Sequence, residues 1–173
     1  EHDHLHAFKQ KRRRSQHMTL TESFALVSFT LFSFADLRYR LVPGIEIFLM
    51  GTVLLTFPAT PIQTGIILLA CMWGVFRNLS GWFALPLLFY PPAWPVLLTA
   101  YGYRKGIIGR ADLLAISSLA CLFPLPAVLL SLLGLEVWRR LWIRRQVGSI
   151  PALPGLLLGL LAFLFFRLIF QIP

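Results

Sequence analysis

Seven apolar runs follow one another along the chain, and no polar stretch between them is long enough to fold as a soluble domain. They cover residues 19–35, 44–57, 62–76, 83–101, 111–123, 127–135 and 151–170. Of 173 residues, 57% are hydrophobic and 13% are charged, more apolar surface than one soluble core of that length can hide. The sequence therefore predicts an all-α, polytopic helical membrane protein, with about six transmembrane helices plus a proline-broken segment.

The runs are not equivalent. A regular spanning helix needs about 20 apolar residues. The run 151–170 is the clearest candidate, and its Gly155-x-x-x-Gly159 spacing would let another helix approach closely. The run 19–35 is barely long enough, and 44–57 and 62–76 are shorter, with Pro58 and Pro61 marking the turn between them. The run 83–101 is long enough, but Pro86, Pro91, Pro92 and Pro95 break it, which predicts a kinked or re-entrant element. The run 111–123 stops at Pro124 and Pro126, and 127–135 leads into an interfacial stretch with Trp138, Arg139, Arg140, Trp142, Arg144 and Arg145.

A net charge of +9 in a soluble domain would raise the question of nucleic acid. Here the Lys and Arg lie in short loops between apolar runs, where they read as topology signals and headgroup contacts, with Arg77 and Arg167 reaching out to headgroups. Residues 1–18 read as a polar basic arm, with His2, His4 and His6 ahead of the cluster Lys9 to Arg14, and residues 19–173 as the membrane domain. Cys71 and Cys121 fall inside apolar runs without ligand spacing and read as buried small hydrophobes. Neither a metal site nor a cofactor motif is present, and all four His lie in the first 17 residues, away from any membrane chemistry.

Acids are scarce. Glu46 and Glu136 lie near interfaces and read as solvated or Arg-paired, whereas Asp36 and Asp112 sit where apolar runs meet short basic stretches. A carboxylate so close to hydrocarbon is costly and usually functional. Asp36 could pair with Arg38 or Arg40, and Asp112 could cap the helix that begins there. If instead their helices pack side by side, like-charge repulsion separates their protonation steps and the pair shares one proton, as an aspartic protease requires.

Three blocks, in order, resemble type IV prepilin peptidases and preflagellin peptidases. Asp36-Leu37-Arg38-Tyr39-Arg40-Leu41-Val42-Pro43 resembles their D-x-R-x-R-x-I-P-N signature. Gly109-Arg110-Ala111-Asp112 resembles G-x-G-D or G-G-A-D, and Ile150 to Gly159 resembles the I-P-F-G-P-F-L-x-x-G opening of their last helix. The resemblance covers residues 30–170.

It implies an intramembrane aspartyl endopeptidase of the prokaryotic plasma membrane, with its site on the cytoplasmic side, that removes the basic leader of prepilin-like or preflagellin-like precursors. Asp36 and Asp112 would be the dyad, with Arg38, Arg40, Pro43, Gly109 and Arg110 as supporting residues. Gly109 would allow close backbone approach, and Pro43 would fix the chain as it re-enters the membrane. Partners would be the lipid bilayer, a prepilin-like membrane substrate and further membrane subunits, without nucleic acid, and no cofactor would be needed. The chain departs from the pattern at Gly44 for Asn, at Arg110 and Ala111 for Gly, and at Leu114 for Lys, and the cysteine-rich zinc module of larger members is missing. Arg110 is expected to stabilise the ionised form of Asp112, which would weaken a shared-proton pair.

Both acids must face one side, so an even number of crossings must separate them. Three apolar runs lie between, and 83–101 is the one expected not to span. That choice gathers Arg38, Arg40, Arg104, Lys105, Arg110, Arg139, Arg140, Arg144 and Arg145 on the aspartate side, which the positive-inside rule makes cytoplasmic. The alternative reading is a catalytically inactive relative serving as a structural or assembly subunit of a larger membrane complex. A cation-binding transporter component is disfavoured by the basic surroundings of both acids.

Overall fold

A computed structural model describes residues 20–39, 42–143 and 150–170. Among the described residues there are seven α-helices and no strand. The helices are α1 (Leu20–Tyr39), α2 (Ile45–Thr56), α3 (Pro61–Val75), α4 (Trp94–Arg104), α5 (Arg110–Leu122), α6 (Leu125–Ile143) and α7 (Leu153–Phe170). The arm 1–18 and residues Arg40, Arg144 and Arg145 lie outside the described residues.

The prolines set most boundaries. Pro61 opens α3 at its first turn, where a missing N–H costs nothing. The run 83–101 divides as expected: three short 3-10 turns (Gly81–Ala84, Pro86–Phe89 and Pro91–Ala93) precede the 11-residue α4. Helix α1 runs further than the apolar run that announces it, so Asp36 belongs to its last turn rather than to a loop. The turn into α2 is made at Gly44, whose φ of 80° is left-handed. Glycine enters that region at no steric cost.

Helix α5 is the centre of the bundle: every residue from 113 to 121 is buried, and α1, α2, α3, α4 and α6 all pack on it. A helix apolar on all sides is stable only when neighbours cover it completely. Gln63 at the start of α3 donates to the Ala120 carbonyl near the end of α5 (3.2 Å), whereas Gly74 near the end of α3 lies against Leu113 at the start of α5. The two helices are therefore antiparallel. A Cβ on Gly74 would sit 2.7 Å from Ala100 Cβ and 2.9 Å from Leu113 Cδ2, so this glycine is where α3, α4 and α5 converge.

Helices α3 and α4 end together. The Arg104 guanidinium at the end of α4 lies 4.7 Å from the Trp73 ring centroid and donates to the carbonyls of Trp73, Arg77 and Leu79 (3.3, 2.7 and 2.9 Å). The chain between α3 and α4 thus leaves this end of the bundle in 3-10 turns and comes back to it as α4. Lysine cannot reproduce a planar fork that stacks on an indole and serves three acceptors. Arg104→Lys is expected to cost about 1–3 kcal/mol, seen as a lower unfolding midpoint of the full chain in detergent; an unchanged midpoint would mean water satisfies these carbonyls equally well.

The outer pair α6–α7 is antiparallel and in close contact. Gly134 of α6 faces both glycines of α7, and a Cβ there would lie 2.6 Å from the Gly155 carbonyl oxygen. The glycine spacing in α7 therefore does admit a neighbouring helix, and that neighbour contributes a glycine of its own. Helix α7 also packs on α1, where Arg167 pairs with Glu22. This corrects the expectation that Arg167 reaches out to headgroups: it is paired with Glu22 instead. Among the described residues, Leu153–Phe170 is the one helix long and apolar enough to cross a membrane.

Candidate active site

Seven helix ends meet at one end of the bundle: the C-termini of α1, α3, α4 and α6, and the N-termini of α2, α5 and α7. The ties are local and specific. Asp36 of α1 holds α7, Glu46 of α2 holds α5, Arg104 of α4 holds the end of α3, and Trp138 of α6 lies against Gly155 of α7. Asp36 and Asp112, 76 positions apart in sequence, arrive at this end together, one at the end of α1 and the other at the start of α5. Each side chain is partly buried.

Asp36 Oδ2 accepts the backbone N–H of Leu153 at 3.1 Å. The sequence of α7 explains why that donor is available. Pro151 and Pro154 have no N–H, and those of Gly155 and Leu156 are turned to the Ala152 carbonyl. Leu153 thus offers an N–H at the mouth of the helix, where an anion is favoured by the free donors and the helix dipole. The proline-rich third block accordingly contributes a backbone donor to an acid 117 positions earlier. Nothing in its side chains announces that role.

Asp112 lies within the first turn of α5, three residues after Gly109, and its Oδ2 accepts the Gly109 N–H at 3.2 Å. It therefore closes the helix start from inside, as the carboxylate of a capping box does, and is not the cap residue itself. A Cβ on Gly109 would stand 3.2 Å from that same oxygen, so glycine keeps the approach to the carboxylate clear. Its φ of −76° is ordinary; space, not conformation, is what glycine supplies here.

The supporting residues divide. Arg110 does not serve Asp112 as expected: its Nη2 lies 3.4 Å from Glu46 Oε1, joining the starts of α5 and α2. The side chain of the second residue in a motif such as Gly109-Arg110-Ala111-Asp112 leaves the helix on a different face from that of the fourth, so adjacency in sequence did not become contact. Glu46 is Arg-paired as expected, and so is Glu136, which Arg139 and Arg140 hold at 2.8 and 2.9 Å. Arg38 is exposed and lies 5.4 Å from the Tyr39 ring centroid, while Pro43 sits in the turn ahead of Gly44. Leu114 is 5% exposed and belongs to the core. Cys71 and Cys121 are buried and free, as small hydrophobes should be.

Sequence reasoning missed Ser33. It is 4% exposed, one helical turn before Asp36, and its hydroxyl is buried without a partner. Such a group costs stability unless something binds it. Phe29 and Phe32 on the same stretch of α1 pack edge-on against Phe48 of α2 (5.3 and 5.4 Å between centroids), fixing the backbone beneath the acid. Ser33→Ala is expected to leave the unfolding midpoint unchanged or raise it slightly; a clear fall would show that the hydroxyl is satisfied in the folded protein.

Comparison with known proteins adds no relative: no family model, no curated protein and no solved structure matches this chain. Among the described residues no group of His, Cys, Asp and Glu is arranged to hold a metal ion.

Proposed function

We propose that the chain is a polytopic membrane aspartyl endopeptidase of the prepilin peptidase type, acting with Asp36 and Asp112 on the basic leader of prepilin-like or preflagellin-like precursors. The observation that carries the reading is the arrival of both acids at one end of the bundle, each held by a backbone N–H from one of the three sequence blocks. One carboxylate would take a proton from water while the other, protonated, polarises the scissile carbonyl.

Membrane placement is supported by large apolar side chains turned outward around the bundle, among them Val27, Leu31, Ile47, Leu54, Leu158 and Phe165. Helices α2, α3 and α5 would extend over only about 18–22 Å, against a hydrocarbon core of about 30 Å. A bilayer thinned around them would bring water to the aspartates. The positive-inside rule would put the aspartate end, with Arg38, Arg104, Lys105, Arg110, Arg139 and Arg140, in the prokaryotic cytoplasm.

A second reading, an inactive subunit packed within a larger membrane complex, is favoured by one observation: each acid already has a structural task, Asp36 at the start of α7 and Asp112 at the start of α5. Reconstituting the full chain with a membrane precursor carrying a basic leader separates the two. Release of the leader supports the peptidase; an intact precursor, with the chain folded and inserted, supports the subunit.

A further inference from the structure

Between α3, α4 and the turns before α4 lies a cavity of about 470 Å³, lined by neither aspartate. Trp94, Leu97, Leu98 and Tyr101 line it at the spacing of a single helix face, so it runs lengthwise along α4 for about 10 Å. Trp73 of α3 forms the facing wall, and Ala84 and Leu88 of the 3-10 turns close it above. Leu97 and Trp73 are buried at its floor, whereas Trp94, Leu98 and Tyr101 are exposed along its opening.

The lining is apolar throughout, because both indoles have spent their N–H groups: Trp73 Nε1 donates to Ser80 O at 3.1 Å and Trp94 Nε1 to Leu88 O at 2.8 Å. Its charge lies at one end only. Lys105 Nζ is 5.7 Å from the Tyr101 ring centroid, Arg104 stacks on Trp73, and the backbone of Arg77 is tied to Arg104 with its side chain exposed. Among the described residues no ion pair joins Arg77, Arg104 or Lys105 to an acid.

We propose that this groove binds one acyl chain of an anionic glycerophospholipid, with its phosphate held by Lys105 and Arg77. A long apolar slot ending in uncompensated positive charge matches the two parts of such a molecule in the right order. A partner helix fits less well: two turns of helix, about 10 Å across, occupy roughly 800 Å³. The proposal rests on the membrane placement proposed above and is independent of the peptidase chemistry.

The test uses the full chain reconstituted in phosphatidylcholine vesicles containing a minor fraction of either phosphatidylglycerol or phosphatidylcholine with brominated acyl chains, which quench nearby tryptophan. The Trp94 signal is isolated by difference from Trp94→Phe. Brominated phosphatidylglycerol is expected to quench Trp94 several-fold more than brominated phosphatidylcholine at equal fraction. The preference should fall toward parity in Arg77→Glu with Lys105→Glu, and quenching by both lipids should drop in Ala84→Phe, which fills the slot. Equal quenching in the unaltered chain overturns the proposal, as does a preference that survives the charge reversal. Displacement of the lipid signal by an apolar helical peptide, with no lipid preference, assigns the groove to a protein partner instead. Vesicle flotation is read alongside: a chain that floats but shows no preference sinks only the lipid site, whereas a chain that fails to float sinks the membrane placement as well.

Discussion

Asp36→Asn and Asp112→Asn are each expected to reduce cleavage of a basic-leader precursor by at least about 10²–10⁴-fold, the range that positioned acid–base groups contribute. Both substitutions preserve shape and an oxygen acceptor. The new amide oxygen can still take the Leu153 N–H in the first variant and the Gly109 N–H in the second, so the starts of α7 and α5 stay capped. What asparagine cannot do is exchange a proton with water, so a loss of activity with an unchanged unfolding midpoint isolates the chemistry from the architecture. The double variant should be no worse than either single one, because groups that act as a unit are not additive. Substantial cleavage by either variant removes that residue from the mechanism. No cleavage by the parent chain, with parent and variants equally folded and inserted, is the signature of the subunit reading.

The second large effect belongs to the α6–α7 seam. Gly134→Leu places a side chain where a Cβ alone would be 2.5 Å from the Gly159 nitrogen and 2.6 Å from the Gly155 oxygen. Backbone cannot give way as a flexible side chain can, so the helices must separate. The expected cost is about 3 kcal/mol or more, at the upper end of overpacking effects. Gly65→Ala is the control: nothing lies within 4 Å of the added carbon, and alanine favours a helix interior, so its midpoint should hold or rise. Thermal unfolding of both variants in detergent decides the matter, and equal midpoints would refute the seam as described. Because α7 brings the Leu153 N–H to Asp36, Gly134→Leu should also impair cleavage although it touches neither acid.

How far these features were legible in the sequence depends on their range. Helix positions followed from apolar length and proline, which act locally, so Pro61 and the proline cluster before α4 marked their elements correctly. The break in the run 83–101 was legible because four prolines fall in it, and residues 81–93 indeed form 3-10 turns ahead of α4. The partners of single side chains were not legible. Arg110 turned to Glu46, Arg167 to Glu22 and Asp36 to a backbone N–H, because each choice depends on how two distant helices rotate against each other. Gly134 was missed for a related reason: a single small residue in α6 carries no pattern until its partner is known.

The two ties between α1 and α7 have a further consequence. Glu22 and Asp36 are 14 residues apart on α1, and so are their partners Leu153 and Arg167 on α7. Equal spacing makes the pair of helices a ruler with a mark at each end. One extra residue anywhere between positions 154 and 166 would rotate the two marks on α7 by about 100° relative to each other, and no sliding of the helix could then satisfy both. Evolution or engineering can lengthen the chain between α6 and α7 without disturbing the gauge. Within it, residues can be exchanged but not added.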